Sequence, residues 1–410
     1  MKKILIVSGN RLAPAQTGGQ LRSISIARAL ARMGHQVQIV SIAGRKEDYH
    51  PRQLLRAETK QVDIDPRVSE LTHLGAATGL IQTIMRRLKL PRVWQYGFLR
   101  YGKVPRCLRV CLDEADIVMS DLPYCPPIPG PWRSKPWFLI SHNLEHKLLE
   151  QGTDSERRFA AWMRSLESAA PQAYTDIFAC ADEDQAFFRG CDPTGKLLVP
   201  MIRCGVDPAD YVTSPDLRRQ ARTELGLADD EWLFLFSGSN FGPNVDAFQG
   251  IRDFCRREAE FLARSRVRIV VAGSVSPSRF HEGALIVTGR VPHMLPYFAA
   301  ADVGLNMVTR GSGSNVKLFE YLAARIPIVS TQFGARGTEL GARQDYLLCT
   351  PENLGEIIAQ VIARPRSYWR EHAEAVWNRH HRSCDIYSLV SDAVAKFPVF
   401  QTEAKAILFG

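Results

Sequence analysis

From Lys2 to Thr331 the chain alternates short apolar runs with longer stretches of helical periodicity. Such a chain has few ways to fold. Each apolar run must be covered on both faces, and the intervening segments supply the helices that cover it, which is the pattern of parallel α/β sheets. Residues 2–8 read as a first strand, 21–33 as a helix closed by Gly34, and 36–42 as the next strand. Further strands are expected at 116–120, 137–141, 176–180 and 196–200. A second set is expected at 232–237, 267–272, 285–288, 303–307 and 328–331. At 410 residues the chain exceeds one ordinary core, so the two sets define two doubly wound domains. Gly205, Pro208, Ser214 and Pro215 cluster between them and mark the join. The expected divisions are 1–207, 208–375 and a helical tail over 376–410.

Composition excludes several classes. Hydrophobic residues at 45% with charged residues at 23% describe a globular chain, not a disordered one. The apolar run from Ile4 to Val7 is too short for a signal-peptide core, and no run reaches the ~18 residues needed to span a bilayer. The protein is therefore expected in the cytoplasm. Nine cysteines occur without a CxxC pair, and Cys107 with Cys111 is the only close spacing; they read as reduced, buried thiols. The net charge of +9 calls for an acidic partner, whether nucleotide diphosphate, anionic lipid or nucleic acid.

In open α/β sheets ligands bind beyond the carboxyl ends of the strands, and two facing domains would put a substrate in the cleft between them. Gly311, Ser312, Gly313, Ser314 and Asn315 form a small-residue loop in such a position, before a helix expected over 316–324. Ser314 or Asn315 can cap that helix, whose open N–H groups and dipole favour a phosphate. Lys317 and Glu320, three residues apart, share one helix face. A cation for phosphate and a carboxylate for sugar hydroxyls suit a nucleotide sugar. Pro327 then ends the helical pattern.

Other candidates follow the same rule of position. Gly18 and Gly19 follow the first strand and read either as a plain tight turn or as a place where backbone approaches phosphate. His142, in the run His142-Asn143-Leu144-Glu145-His146, stands at the carboxyl end of an expected strand. His146 reads as structural or solvated, and the spacing supplies too few ligands for a metal. Asn244, before a helix expected over 245–255, reads as an N-cap or a ligand contact. The turn at 334–339, with Arg336, reads as a glycine-rich turn or as lining of the site. Residues 85–109 contain eight Lys or Arg, no Asp or Glu, and Trp94, Tyr96, Phe98 and Tyr101. They suit an anionic membrane surface, a polyanionic or lipid-linked acceptor, or a solvated face.

The segment 311–320 resembles the retaining glycosyltransferases of family 4, which have the two-domain GT-B fold. Those enzymes carry two Glu separated by seven residues, and Glu320 matches the second, which binds ribose. The first falls on Ser312, so the chain is similar to a branch with the pattern GSG-T/S-N-x-K-x-x-E. The resemblance implies that Gly18 and Gly19 approach the donor phosphate and the acceptor. It implies that His142 contacts the transferred sugar and that residues near Arg290 and Val291 hold the base through their backbone. Many relatives clamp the diphosphate with an Arg and a Lys after Gly238; this chain has Ser239 and Asn244 there. Lys317 is the compensating cation, with Arg310 the weaker candidate. The tail would pack back on the first domain.

The expected function is therefore transfer of a sugar from a nucleotide-diphosphate donor to a hydroxyl of a saccharide, lipid-linked or small-molecule acceptor. Retention at the anomeric carbon, no cofactor, no metal and no nucleic-acid partner are implied. The expected setting is bacterial polysaccharide or glycoconjugate synthesis, peripheral to a membrane. A nucleotide-sugar epimerase is the rival enzyme; it needs acid/base carboxylates in the first domain, where Glu145 and Asp182 are available. A non-catalytic nucleotide-sugar-binding subunit is the rival of another class.

Overall fold

The computed structural model describes residues 1–44, 58–75, 84, 87, 104–123, 125–311 and 315–401. The chain divides into two compact units, Met1–Arg203 with Ile386–Gly410, and Cys204–Asp385. The helix Arg366–Cys384 belongs to the second unit, so the return to the first begins ten residues beyond the expected start of the tail at 376.

The first unit is built on strands β1 (Lys3–Ser8), β2 (Gln36–Ser41), β3 (Glu58–Asp65), β4 (Val68–Leu74), β5 (Ile117–Asp121), β6 (Trp137–Ile140) and β7 (Asp176–Phe178). Their order is β3-β4-β2-β1-β5-β6-β7, parallel except for β3 on β4. Successive side chains alternate between faces. Ile4 and Ile6 therefore join one core with Ile26, Leu30 and Phe138, while Leu5 and Val7 join the other with Leu108, Leu112 and Val118. The first core is completed by Ile386, Val390, Ala393, Val394 and Phe400 of the returning segment.

Three departures from the sequence reading have local causes. The β3–β4 hairpin is not visible as an apolar run, because β3 is a charged edge strand and only alternate residues of β4 are buried. Residues 196–200 do not form a strand: Asp176 accepts the amides of Leu198 and Val199, both at 2.9 Å, and Val199 adopts φ 43°. A single bridge, Ala179 to Met201, remains. The first helix is Gly18–Arg32, begun by Thr17 in a capping box with Gln20, so Gly18 and Gly19 form its first turn and not a loop before it.

The second unit has strands β8 (Trp232–Ser237), β9 (Val267–Ala272), β10 (Phe280–Glu282), β11 (Leu285–Gly289), β12 (Val303–Asn306), β13 (Ile328–Ser330) and β14 (Leu347–Leu348). Their order is β10-β11-β9-β8-β12-β13-β14, and only β10–β11 is antiparallel. The winding direction reverses between β1 and β5 in the first sheet and between β8 and β12 in the second. Doubly wound sheets open their ligand crevices at these switch points.

Candidate active site

In the second unit the two strands at the switch point each lead into a loop and then a helix. After β8 the chain passes Gly238 and Ser239 into the helix Gly242–Arg257. Asn244 lies in the first turn of this helix, whose N-cap is Phe241, so the expected start at 245 is corrected. Pro243, fixed near helical φ, starts the helix early. Asn244 instead faces inward, its Nδ2 donating to the Ser239 carbonyl at 3.2 Å and to Ser239 Oγ at 3.4 Å.

After β12 the chain reaches Gly311 and the helix Val316–Ala323, with Asn315 as N-cap. Ser312, Gly313 and Ser314 lie outside the described residues. Asn315 makes no side-chain cap bond; its Nδ2 donates to Asn306 Oδ1 at 3.3 Å. Fully buried Asn306 also donates to the Gly334 carbonyl at 3.0 Å, tying the loop to the turn after β13. The helix is seated by Tyr321, whose hydroxyl reaches the carbonyls of Leu235 at 2.9 Å and Leu305 at 3.2 Å and accepts the Ser237 amide at 3.1 Å. Gly304 admits the Tyr321 ring: a Cβ there would lie 2.5 Å from ring carbons.

Lys317 and Glu320 project from this seated helix. Lys317 is 6% exposed, donates to Asn244 Oδ1 at 2.9 Å and lies 4.7 Å from the centre of the Phe236 ring. Among the described residues no carboxylate is within ion-pair distance of it. Burial pulls its ammonium down to about 7, against the opposing charge of Glu320, and Arg336 pulls the same way. Glu320 is half-buried and its carboxyl is pushed up by burial, opposed by a hydrogen bond from Tyr211 and by Lys317. The Tyr211 hydroxyl donates to Glu320 Oε1 at 3.1 Å.

Arg336 brings a second cation to this loop, with its guanidinium 4.1 Å from the centre of the Phe333 ring. Gly311 (φ 132°) lies against it, and a Cβ there would meet Arg336 Nη2 at 3.1 Å. Arg310 is exposed and paired with Asp246 at 2.5 Å. Arg290 is exposed and Val291 half-buried, directly after β11.

The switch point of the first unit holds a polar network. Ser8 Oγ, at the end of β1, donates to Asp121 Oδ2 at 2.7 Å, and Ser23 Oγ donates to Asp121 Oδ1 at 2.6 Å. His142 Nε2 stands 2.7 Å from Asp121 Oδ1. Its Nδ1 stands 3.0 Å from Arg22 Nη1, and because a guanidinium only donates, Nδ1 accepts and Nε2 carries the proton toward Asp121. Burial pushes the Asp121 carboxyl up, but His142 and the hydroxyls of Ser23 and Ser8 outweigh it and hold it below its ordinary value. A Cβ at Gly19 would lie 3.8 Å from the His142 ring, so the first turn of the helix and the histidine lie side by side. Both ring nitrogens are already paired.

His146 is structural: its Nδ1 pairs with buried Glu167 at 2.5 Å. Glu145 is pushed up to about 8 by burial and by the neighbouring Glu167. Asp182 is a first-turn residue behind the N-cap Ala181, and its exposed side chain pairs with Arg203 at 3.3 Å. The rival epimerase therefore lacks its second buried carboxylate among the residues named for it.

Sequence reasoning missed Tyr211, Asn306, Arg22, Ser23 and Asp121. Asn306 and Asp121 left a legible signal, a polar residue closing a buried apolar strand. Tyr211 left none, since its partner is distant in sequence.

Residues 233–364, all within the second unit, match the family described as Glycosyl transferases group 1. No curated protein matches the chain in sequence. Sucrose-phosphate synthase from Thermosynechococcus elongatus superimposes with a TM-score of 0.66 at 14% identity, covering 97% of this chain and 98% of that one. Anabaena HepE gives 0.62 at 16% identity, covering 97% and 99%. WaaG gives 0.62 at 17% identity, covering 96% and 99%. The fold is GT-B. Its second unit carries a glycosyl transferases group 1 domain.

Proposed function

We propose that this protein is a retaining glycosyltransferase that moves a sugar from a nucleotide-diphosphate donor to an acceptor hydroxyl. The observation that carries this reading is Lys317: a buried cation bonded to a neutral amide, beside a helix N-terminus at a switch point. An ammonium so placed is costly unless an anion completes it. Lys317 and the amides at 313–315 are assigned to the diphosphate, and Glu320 to the ribose. Gly238, Ser239 and Asn244 line the same donor site, and Arg290 and Val291 meet the base. The similarity to HepE, whose structure is a complex with UDP-glucose, supports a nucleotide sugar as the donor class. The similarity to WaaG, a glycosyltransferase involved in lipopolysaccharide biosynthesis, supports a glycoconjugate product.

The chemistry asked of the protein is positioning and stabilisation of the leaving diphosphate. As the bond from the anomeric carbon to the diphosphate oxygen breaks, negative charge grows on that oxygen, and Lys317 and the helix amides are assigned to stabilise it. No divalent metal is required on this proposal, and no cofactor beyond the donor itself. His142 is assigned to the transferred sugar, which requires one of its ring nitrogens to exchange its present partner. Residues 85–109, mostly outside the described residues, are assigned to an anionic membrane surface or lipid-linked acceptor. Sedimentation with anionic vesicles tests that assignment, and its absence at low salt removes it.

The decisive experiment incubates a panel of nucleotide sugars with and without acceptors, in chelator, and follows release of nucleoside diphosphate. Release that depends on acceptor and survives chelation is expected. Binding without release would leave only a nucleotide-sugar-binding subunit. Lys317→Ala is expected to lower turnover and donor affinity together, and Glu320→Gln mainly donor affinity, because the ribose does not change during reaction.

A further inference from the structure

Glu320 does not stand alone. The turn Pro208–Tyr211 begins with Asp207, whose Oδ1 accepts the Ala209 amide at 3.0 Å, and Pro208 fixes the first backbone angle. Just before it, the Val206 amide donates to the Cys384 carbonyl at 2.9 Å, pinning the turn to the end of a long helix of the same unit. Tyr211 is thereby delivered into the core, 9% exposed, with its ring 5.5 Å from that of Phe298. Phe298 in turn lies 6.1 Å from Tyr321, which seats the helix carrying Glu320. Packing thus holds both ends of the hydrogen bond from Tyr211 to Glu320 Oε1. Oε2 has no hydrogen-bond partner among the described residues.

A carboxylate on a helix can rotate about its side-chain bonds, and fixing it costs rotamer entropy whenever a ligand must do the fixing. Here the hydroxyl of Tyr211 has done so in advance. It orients the carboxylate plane, leaves Oε2 to accept a hydroxyl, and favours the ionised form that accepts hydrogen bonds strongly. From this geometry, and resting on the assignment of Glu320 to ribose, we propose that Tyr211 is a positioning residue for ribose recognition. It makes the donor site select ribonucleotides over deoxyribonucleotides. The selectivity then comes from a turn outside the small-residue loop and the helix that bear the other donor contacts.

The test compares UDP with 2′-deoxy-UDP, and GDP with 2′-deoxy-GDP, by calorimetry on the wild type, Tyr211→Phe and Glu320→Gln. Phenylalanine keeps the ring against Phe298, so the melting temperature should hold while only the hydroxyl is lost. The expected result is a preference for the ribonucleotide that falls about fivefold to tenfold in Tyr211→Phe, the worth of one ordinary hydrogen bond. Affinity for the deoxynucleotide should stay within about twofold, and in turnover the donor KM should rise with kcat nearly unchanged. A purely structural tyrosine would weaken both ligands alike or neither. An unchanged preference in Tyr211→Phe, with loss of preference in Glu320→Gln, overturns the proposal alone. An unchanged preference in both variants, or a wild type without preference, overturns the assignment of Glu320 as well.

Discussion

Lys317 is where function and stability oppose each other. Its ammonium sits at about 7 because burial disfavours the charge, whereas in an unfolded chain a lysine titrates near ~10.4. Between these values the unfolded state binds a proton that the native state does not, so this group's penalty is full below pH 7 and fades as pH rises toward 10. Lys317→Met should therefore raise the melting temperature of the ligand-free protein at neutral pH, by about 2–4 °C for each kcal/mol recovered. The same change should weaken donor binding, a trade expected where a site is strained for its ligand. UDP-glucose is a suitable probe because its phosphates carry no ionisation near neutrality. Its affinity should be highest below pH 7 and fall, by up to about tenfold per unit, as pH rises through 7. Lys317→Met should bind weakly with a flat profile. A wild type flat from pH 6 to 9 would remove the diphosphate from Lys317.

At the scale of elements, the helix Val316–Ala323 works only because its neighbours make room for it. Gly304 on β12 lets the Tyr321 ring lie on the strand, and the Tyr321 hydroxyl then bridges β8 and β12. Gly304→Ala puts a methyl 2.5 Å from ring atoms held by backbone contacts. It should destabilise the second unit by about 1–3 kcal/mol through overpacking and weaken nucleoside-diphosphate binding by tilting Lys317 and Glu320. Melting curves and calorimetry on that variant check both effects; unchanged binding would mean that the helix need not be held there. The same elements show what sequence could reveal. Buried parallel strands such as β8 and β9 are nearly continuous apolar runs, so they were legible. The charged β3 was not, because an edge strand buries little. Nor were the brace from Asn306 to Asn315 and Gly334 or the bond from Tyr211 to Glu320, which depend on long-range packing that no spacing encodes.

On the scale of the whole molecule, the two units have unequal claims on the chain's end. The second unit is one continuous stretch, Cys204–Asp385, whereas the first needs residues from Ile386 onward to close its core. Ile386, Val390, Ala393, Val394 and Phe400 are at most 3% exposed, and Phe400 and Phe397 lie 5.1 Å from Phe138 in an aromatic cluster beneath β6. Arg32 of the first helix also stacks on Tyr387 at 3.7 Å. At about 1.5–3 kcal/mol for each large apolar side chain, this burial is comparable to the entire stability of an ordinary domain. Removing the chain from Ile386 should thus unfold the first unit selectively. Two transitions, or hydrogen exchange resolved along the chain, should show protection lost in β1, β5 and β6 but kept in β8, β9 and β12. Nucleoside-diphosphate binding, assigned mainly to Lys317, Glu320 and their neighbours in the second unit, should survive the truncation while sugar transfer is abolished. If binding is lost together with the first unit, the donor site needs more than the elements that carry Lys317, Glu320 and Tyr211.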